Sequence, residues 1–256
     1  MSDAGALLAG LAAPDARNMA IGCAIFVLGG VVKGTLGVGL PLVVVPLLSL
    51  VLPATQAIVL VMASVLASNV WQAIEGGVSV QGLRRFAPLI AALLLTTLAT
   101  VPLTLALPEQ ALRMLLASVV LLAVVLMALP LRLNVAPQHE RWWSAGVGAL
   151  SGLMGGVSSL TGPVVITYLM SLRLPREVFV GSISVIYLAG ALPLYGSMAA
   201  RGRVSLGNAA LSVLALLPMA AGLAIGKRLR GRLGEAEFRR LLLAFLTVVA
   251  LALFFR

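Results

Sequence analysis

Acidic residues are scarce in this 256-residue chain, eight Asp and Glu against eighteen Lys and Arg. Asp3, Asp15, Glu75, Glu109, Glu140, Glu177, Glu235 and Glu237 each fall in a terminus, a connector or the end of an apolar segment. No carboxylate is left at depth to hold Na⁺ or relay protons, which argues against a cation pathway. Cysteine is nearly missing as well. Cys23 alone excludes an intrachain disulfide and any zinc spacing. The one histidine, His139, sits in a polar central connector, and H-E-x-x-H spacing is absent. A serine protease needs a base beside its nucleophile and a metalloprotease needs that histidine pair, so the main intramembrane enzyme chemistries lose their reagents. The expectation is no enzyme, no catalytic residue, no metal and no cofactor.

Apolar residues fill the space that charge leaves. Hydrophobic residues make up 61% of the chain and charged residues 10%, with mean hydropathy +1.12, values outside the range of soluble domains. Apolar runs of spanning length recur throughout, which makes this a polytopic membrane protein whose first partner is the lipid bilayer. The net charge of +10 then reads as basic cytoplasmic loops, with no nucleic-acid partner expected. The N-terminus lacks a basic n-region, so the first apolar segment is expected to be retained.

Ten apolar segments follow in order: Met19–Val32, Leu40–Leu52, Thr55–Ile74, Phe86–Ala106, Leu112–Leu129, Trp142–Gly156, Pro163–Leu172, Val178–Ala199, Leu206–Ile225 and Phe238–Phe255. Four are short, and they flank two interruptions. The first stretch, Gly29 to Pro53, carries Gly29, Gly30, Gly34, Gly37 and Gly39 and then Pro41 and Pro46, a pattern that opposes one continuous helix. The second, Gly152 to Pro175, repeats the order with glycines, a small polar cluster and Pro163. Irregular backbone at membrane depth survives only when buried in protein or lining a cavity, and paired interruptions in two halves point to a transporter's binding site.

The halves align internally. Ser49-Leu50-x-Leu52-Pro53 recurs as Ser171-Leu172-x-Leu174-Pro175 at an offset of 122, and Leu107-x-Glu109 with Arg113 matches Leu233-x-Glu235 with Arg239 at 126. Duplication explains both blocks. The expected units are a first transmembrane repeat over 1–130, a cytoplasmic connector over 131–141 and a second repeat over 142–256. If each half crosses the membrane an odd number of times, twelve basic residues collect on one side and five on the other; an even count gives nine against eight. The positive-inside bias selects the odd case. The expected fold is therefore all-α, with two inverted repeats, each a helix–break–helix segment plus three spanning helices, both termini outside and the 227–240 loop in the cytoplasm.

Lys33, at the first break, is the one basic residue placed at depth, since Arg113, Arg239 and Arg240 fall at the starts of their segments. An ammonium at depth is either functional or a helix-end lysine that snorkels to the interface. Half-helices opening near Leu40 and Pro163 would aim free N–H groups and positive dipole ends inward, as an anion site requires. Gly34, Gly37, Gly39 and Gly162 would let backbone approach an oxyanion, with Thr35, Ser158, Ser159 and Thr161 as hydroxyl donors. The competing reading is that the small residues only permit close helix packing. Asn69 and Gln72 share one helix face, and Tyr187 and Tyr195 could reach the site from the counterpart segment.

Gly30-x-x-Lys33-Gly34-x-x-Gly37-x-Gly39-x-Pro41, with Gly152-Leu153-x-Gly155-Gly156 leading to Thr161-Gly162-Pro163 and Tyr168-Leu169, resembles the TauE/SafE sulfite exporter family of anion permeases over nearly the whole chain. Two departures bear on the substrate. Gly37-Val38-Gly39 stands where the family commonly has three glycines, and Pro163-Val164 where it often has two prolines. The resemblance implies a multi-pass inner (plasma) membrane permease that exports small sulfur oxyanions such as sulfite or organosulfonates. The anion would bind between the two broken segments, and the chain could form a homodimer. Transport of another small organic anion is the alternative, with an intramembrane enzyme a distant one.

Overall fold

The computed structural model describes residues 16–76, 80–129, 137–172, 174–230 and 235–255. Residues 130–136, most of the expected connector, lie outside the described residues, as do Asp3, Asp15, Arg132, Arg173, Arg232 and Arg256. The chain order is α1 (Ala16–Leu36), α2 (Leu40–Ser49), α3 (Ala54–Leu60), α4 (Met62–Glu75), a short α5 (Val80–Arg85), α6 (Ala87–Ala106) and α7 (Glu109–Ala128). A 3-10 turn at Pro137–His139 leads into α8 (Glu140–Ser158), α9 (Gly162–Ser171), α10 (Arg176–Ala200), α11 (Leu206–Leu214), α12 (Leu216–Leu229) and α13 (Glu235–Phe254). Among the described residues six helical stretches are long and apolar enough to cross a bilayer, with α3 and α4 counting as one and α11 and α12 as another.

Two expectations about the interruptions need correction. Of the four helices that flank the interruptions, α2 and α9 are short, at ten residues each, whereas α1 runs for 21 residues and α8 for 19. The helix passes through Gly29, Gly30, Lys33 and Gly34, so the first irregular stretch is Gly37–Gly39 and Lys33 lies one turn before it. A mid-helix glycine costs only about 1 kcal/mol relative to alanine, and here close packing offsets that cost. A Cβ on Gly30 would strike the Met219 carbonyl of α12, and one on Gly34 would lie 2.5 Å from the Leu223 oxygen and 2.9 Å from Gly226 Cα. From the other side Gly222 and Gly226 face the carbonyls of Val27 and Val31. Successive contacts advance along both helices, so α1 and α12 run parallel with backbones touching.

The same device joins α8 to α6, where Gly148, Gly152 and Gly156 face the backbone of Leu89, the Leu93 oxygen with Thr96, and Thr97 with Thr100. These two pairings are the most extensive among the described residues. They are also reciprocal: the first helix of each half packs along a late helix of the other. Between them, α4 meets α10 and α7 meets α13, and each of these is a pair that the internal alignment makes equivalent. Both run antiparallel. Gly76 and Gln72, ending α4, meet Gly181 and Ser184, opening α10, while Arg239 at the start of α13 donates to the Met127 carbonyl at the end of α7.

The short helices are enclosed by protein. In α2, Leu40, Val43, Val44 and Val45 are fully buried, and in α9 Val165, Tyr168 and Leu169 are. Lipid cannot satisfy the polar ends of a half-helix, so this enclosure is a condition of its existence. Matching prolines restart the chain: Pro53 before α3 has φ −55 and ψ 140, Pro175 before α10 has φ −53 and ψ 145. The freed Ala54 N–H donates to Glu109 at 2.8 Å. Where α3 gives way to α4 at Val61, the Ala63 N–H donates to Ser212 Oγ of α11 at 2.8 Å.

Two expected outcomes follow from this packing. Gly34→Val should lower stability by about 1–3 kcal/mol through overpacking against α12, while Gly22→Ala, with nothing within 4 Å, should leave the thermal midpoint in detergent nearly unchanged; an unchanged Gly34→Val midpoint would refute the backbone contact. Gln110→Cys and Arg240→Cys, near the starts of the equivalent helices α7 and α13, should be labelled from opposite faces of the membrane. Labelling of both from one face would contradict the antiparallel pair.

Candidate functional site

α1 ends on a left-handed residue. Gly37, with φ +81, turns its N–H back onto the Lys33 carbonyl at 2.8 Å, the αL form of helix C-cap. The Gly37 carbonyl accepts from Gln72 Nε2 at 3.2 Å. Gly39, φ +98, then sets the angle at which α2 begins, with Pro41 in its first turn.

The second interruption repeats this geometry 122 residues later. Ser159 occupies the place of Gly37, with φ +61 and its N–H on the Gly155 carbonyl at 2.8 Å. A non-glycine residue in this conformation costs about 1 kcal/mol, so the side chain is held there against a backbone preference. Its hydroxyl is shared with Tyr195 Oη at 3.1 Å. α9 starts at Gly162, again with Pro163 in the first turn, and no side chain caps either α2 or α9. The first-turn N–H groups of both helices are thus free of side-chain partners.

Both helix starts line one cavity of about 40 Å³, together with Lys33, Asn69, Ser159, Tyr187 and Gly190. That is room for about three water molecules, or for the oxygens of one small oxyanion. Lys33 is 4% exposed and donates to Asn69 Oδ1 at 3.3 Å. The Asn69 amide is itself aimed by a 2.9 Å bond from Nδ2 to the Val65 carbonyl. An ammonium has three donors, and among the described residues one amide oxygen is the only side-chain acceptor it meets. Neither ion pair among the described residues includes Lys33, since Arg85 pairs with Glu140 and Arg113 with Glu109. The burial removes the snorkelling reading of Lys33. On the opposite wall the Tyr187 hydroxyl is buried without a hydrogen-bond partner, and a Cβ on Gly162 would lie 2.7 Å from it.

The cavity gathers Lys33, Gly39, Asn69, Ser159, Thr161, Gly162 and Tyr187 from the expected site residues. Gly34, Thr35, Gly37, Gln72 and Ser158 are not among its lining residues. Gly34 packs on α12, and the Thr35 hydroxyl donates to Val31 at 2.9 Å and to Gly226 at 3.3 Å. Gln72 ties down the first interruption. The Ser158 hydroxyl donates to Met154 at 2.7 Å and accepts from the Leu160 N–H at 3.2 Å. These groups satisfy backbone polarity around the site. Gly190, Ala191 and Leu194 of α10 were not anticipated as lining residues, although Tyr187, Ala191 and Tyr195 at helical spacing mark one face of α10. Arg230 was missed too: its Nη2 and Nε donate to the carbonyls of Gly34 and Thr35 at 2.7 and 2.8 Å.

These features define a multi-pass α-helical membrane protein with an enclosed, donor-rich cavity between two uncapped half-length helices. Over residues 22–253 the chain matches the family described as Sulfite exporter TauE/SafE, and it belongs to that family of membrane transporters. No curated protein and no solved structure matches it.

A hydroxyl that lines the cavity without a protein partner is left to bond what the cavity holds. Tyr187→Phe should therefore weaken substrate binding severalfold, by about 1 kcal/mol, while leaving the thermal midpoint of the substrate-free protein near that of the parent. A variant with lower stability and parental affinity would show that the hydroxyl serves the fold alone.

Proposed function

We propose that this transporter is an exporter of small sulfur oxyanions, sulfite or organosulfonates, in the plasma (inner) membrane, holding the anion between the starts of α2 and α9. The observation that carries the reading is Lys33, a buried ammonium whose one side-chain hydrogen-bond partner among the described residues is the neutral amide of Asn69. A buried charge is stable only when compensated, and a bound anion supplies the compensation. The positive ends of two half-length helices add to the same field. Ser159, Thr161 and Tyr187 contribute hydroxyls, so the groups around the cavity favour an acceptor-only ligand, which an oxyanion is. Membership of the TauE/SafE family supports sulfur oxyanions over other acceptors.

The antiparallel meeting of α4 with α10 and of α7 with α13 supports two repeats of opposite orientation. In such an arrangement each half can open the shared cavity to a different face, with the bound anion as the common ligand.

The test is sulfite flux in proteoliposomes as a function of concentration, with carboxylate and sulfonate anions run beside it. Lys33→Gln keeps length and hydrogen-bonding capacity, and should lower apparent affinity at least about tenfold, or about 1.4 kcal/mol. Lys33→Arg keeps the charge on a larger head group and should fall between. Parental affinity in Lys33→Gln would remove the ammonium from the site.

A further inference from the structure

The C-terminus of α1 creates an electrostatic problem for the site just described. A helix ends on unpaired carbonyls carrying about half a negative charge, and α1 ends at Leu36, three residues after Lys33 and three before Gly39, both of which line the cavity. An anion there would meet the negative pole of one helix beside the positive pole of the next. The structure answers with Arg230, at the end of α12. Its guanidinium takes the Gly34 and Thr35 carbonyls at 2.7 and 2.8 Å and lies over Gly37, where a Cβ would sit 3.7 Å from Nη2. With Gly37 N–H on the Lys33 carbonyl, three successive carbonyls of the last turn are covered, two of them by a full positive charge.

We propose that Arg230 is a positioning residue for anion selectivity: it neutralises the negative end of α1 and fixes the turn from which Lys33 faces the cavity. This role rests on the reading of the cavity as an anion site. The halves are unlike here. At the matching end of α8, the Gly155 carbonyl takes the Ser159 N–H and the Met154 carbonyl the Ser158 hydroxyl, and among the described residues no Lys or Arg is bonded to that turn. The positive charge is built into the first interruption, and the second relies on hydroxyls.

The test separates charge from shape on inserted protein. In a Cys23→Ser background, Arg230→Cys should raise the half-saturating sulfite concentration in proteoliposomes about tenfold while changing maximal flux much less. Alkylation with 2-bromoethylamine, which restores a cation through a thioether that sulfite does not cleave, should bring it back to within about threefold of the parent, whereas alkylation with 2-bromoethanesulfonate should not. Equal recovery with a neutral methyl reagent, no recovery with the cationic one, or a parental value before modification would overturn the proposal. Should Arg230→Cys fail to insert, Arg230→Lys decides: near-parental half-saturation supports the charge role, and the full loss refutes it. Lys33→Gln measured in parallel keeps the two ideas apart. Parental affinity in Lys33→Gln sinks the anion site and this role with it, whereas impaired Lys33→Gln beside parental Arg230 variants sinks this role alone.

Discussion

Lipid offers no hydrogen bonds, and the rest of the structure depends on that constraint. Each interruption in a membrane-embedded helix frees backbone N–H and C=O groups that protein must satisfy. At the first interruption the carbonyls are taken by the Gly37 N–H, Arg230 and Gln72. At the second, the Ser159 N–H and the Ser158 hydroxyl do the equivalent work. Six carbonyls are thereby covered, those of Lys33, Gly34, Thr35 and Gly37 at the first and of Met154 and Gly155 at the second. Among the described residues, the donors around the cavity include the uncapped first turns of α2 and α9, the spare protons of Lys33 and the Tyr187 hydroxyl. A cavity with that imbalance is complementary to an anion for the same reason that the interruptions are tolerated.

The interruptions can hold this geometry because the helices bearing them are clamped. Between apolar helices in lipid there is little hydrophobic force, so close van der Waals contact must supply the association. Gly30 and Gly34 against Gly222 and Gly226 bring α1 onto α12, and Gly148, Gly152 and Gly156 bring α8 onto α6. In the first clamp the residue after Lys33 is itself a contact residue, so the packing fixes the rotation of α1 that turns Lys33 inward. α10 closes the cavity from the side, with small residues, Gly190 and Ala191, facing it and tyrosines one turn away on either side.

Much of this was legible in the sequence where local chemistry dominates. Pro41 and Pro163 mark the starts of the half-helices because proline suits a first turn, and Pro53 and Pro175 end the preceding helices for the complementary reason. Lys33 declared itself as the one cation far from the ends of the apolar stretch Met19–Leu52. What could not be read was anything decided by a partner far along the chain. α1 continues through Gly29, Gly30 and Gly34 because α12, some 190 residues away, compensates the weak helix propensity, as the separation of 191 between Thr35 and Gly226 illustrates. Thr35, Gln72 and Ser158 have the right chemistry for a ligand, yet they face backbone groups, and residue type does not distinguish those uses. Arg230 looked like one of many loop cations until its two carbonyl partners were seen.

Duplicated scaffolds need not keep duplicated chemistry. The two interruptions share their offset, their left-handed cap and their first-turn proline, so the backbone solution is common to both halves. Their side chains have diverged, with Lys33 and Arg230 at one and Ser159, Thr161, Tyr187 and Tyr195 at or beside the other. A cation attracts an anion over several ångströms, whereas a hydroxyl acts only in contact and in a defined direction. An anion bound between them, as proposed, would be attracted by the charge at one interruption and oriented by hydrogen bonds at the other. In two repeats of opposite orientation, as proposed, that difference would make the two directions of access chemically unequal even where the framing helices match.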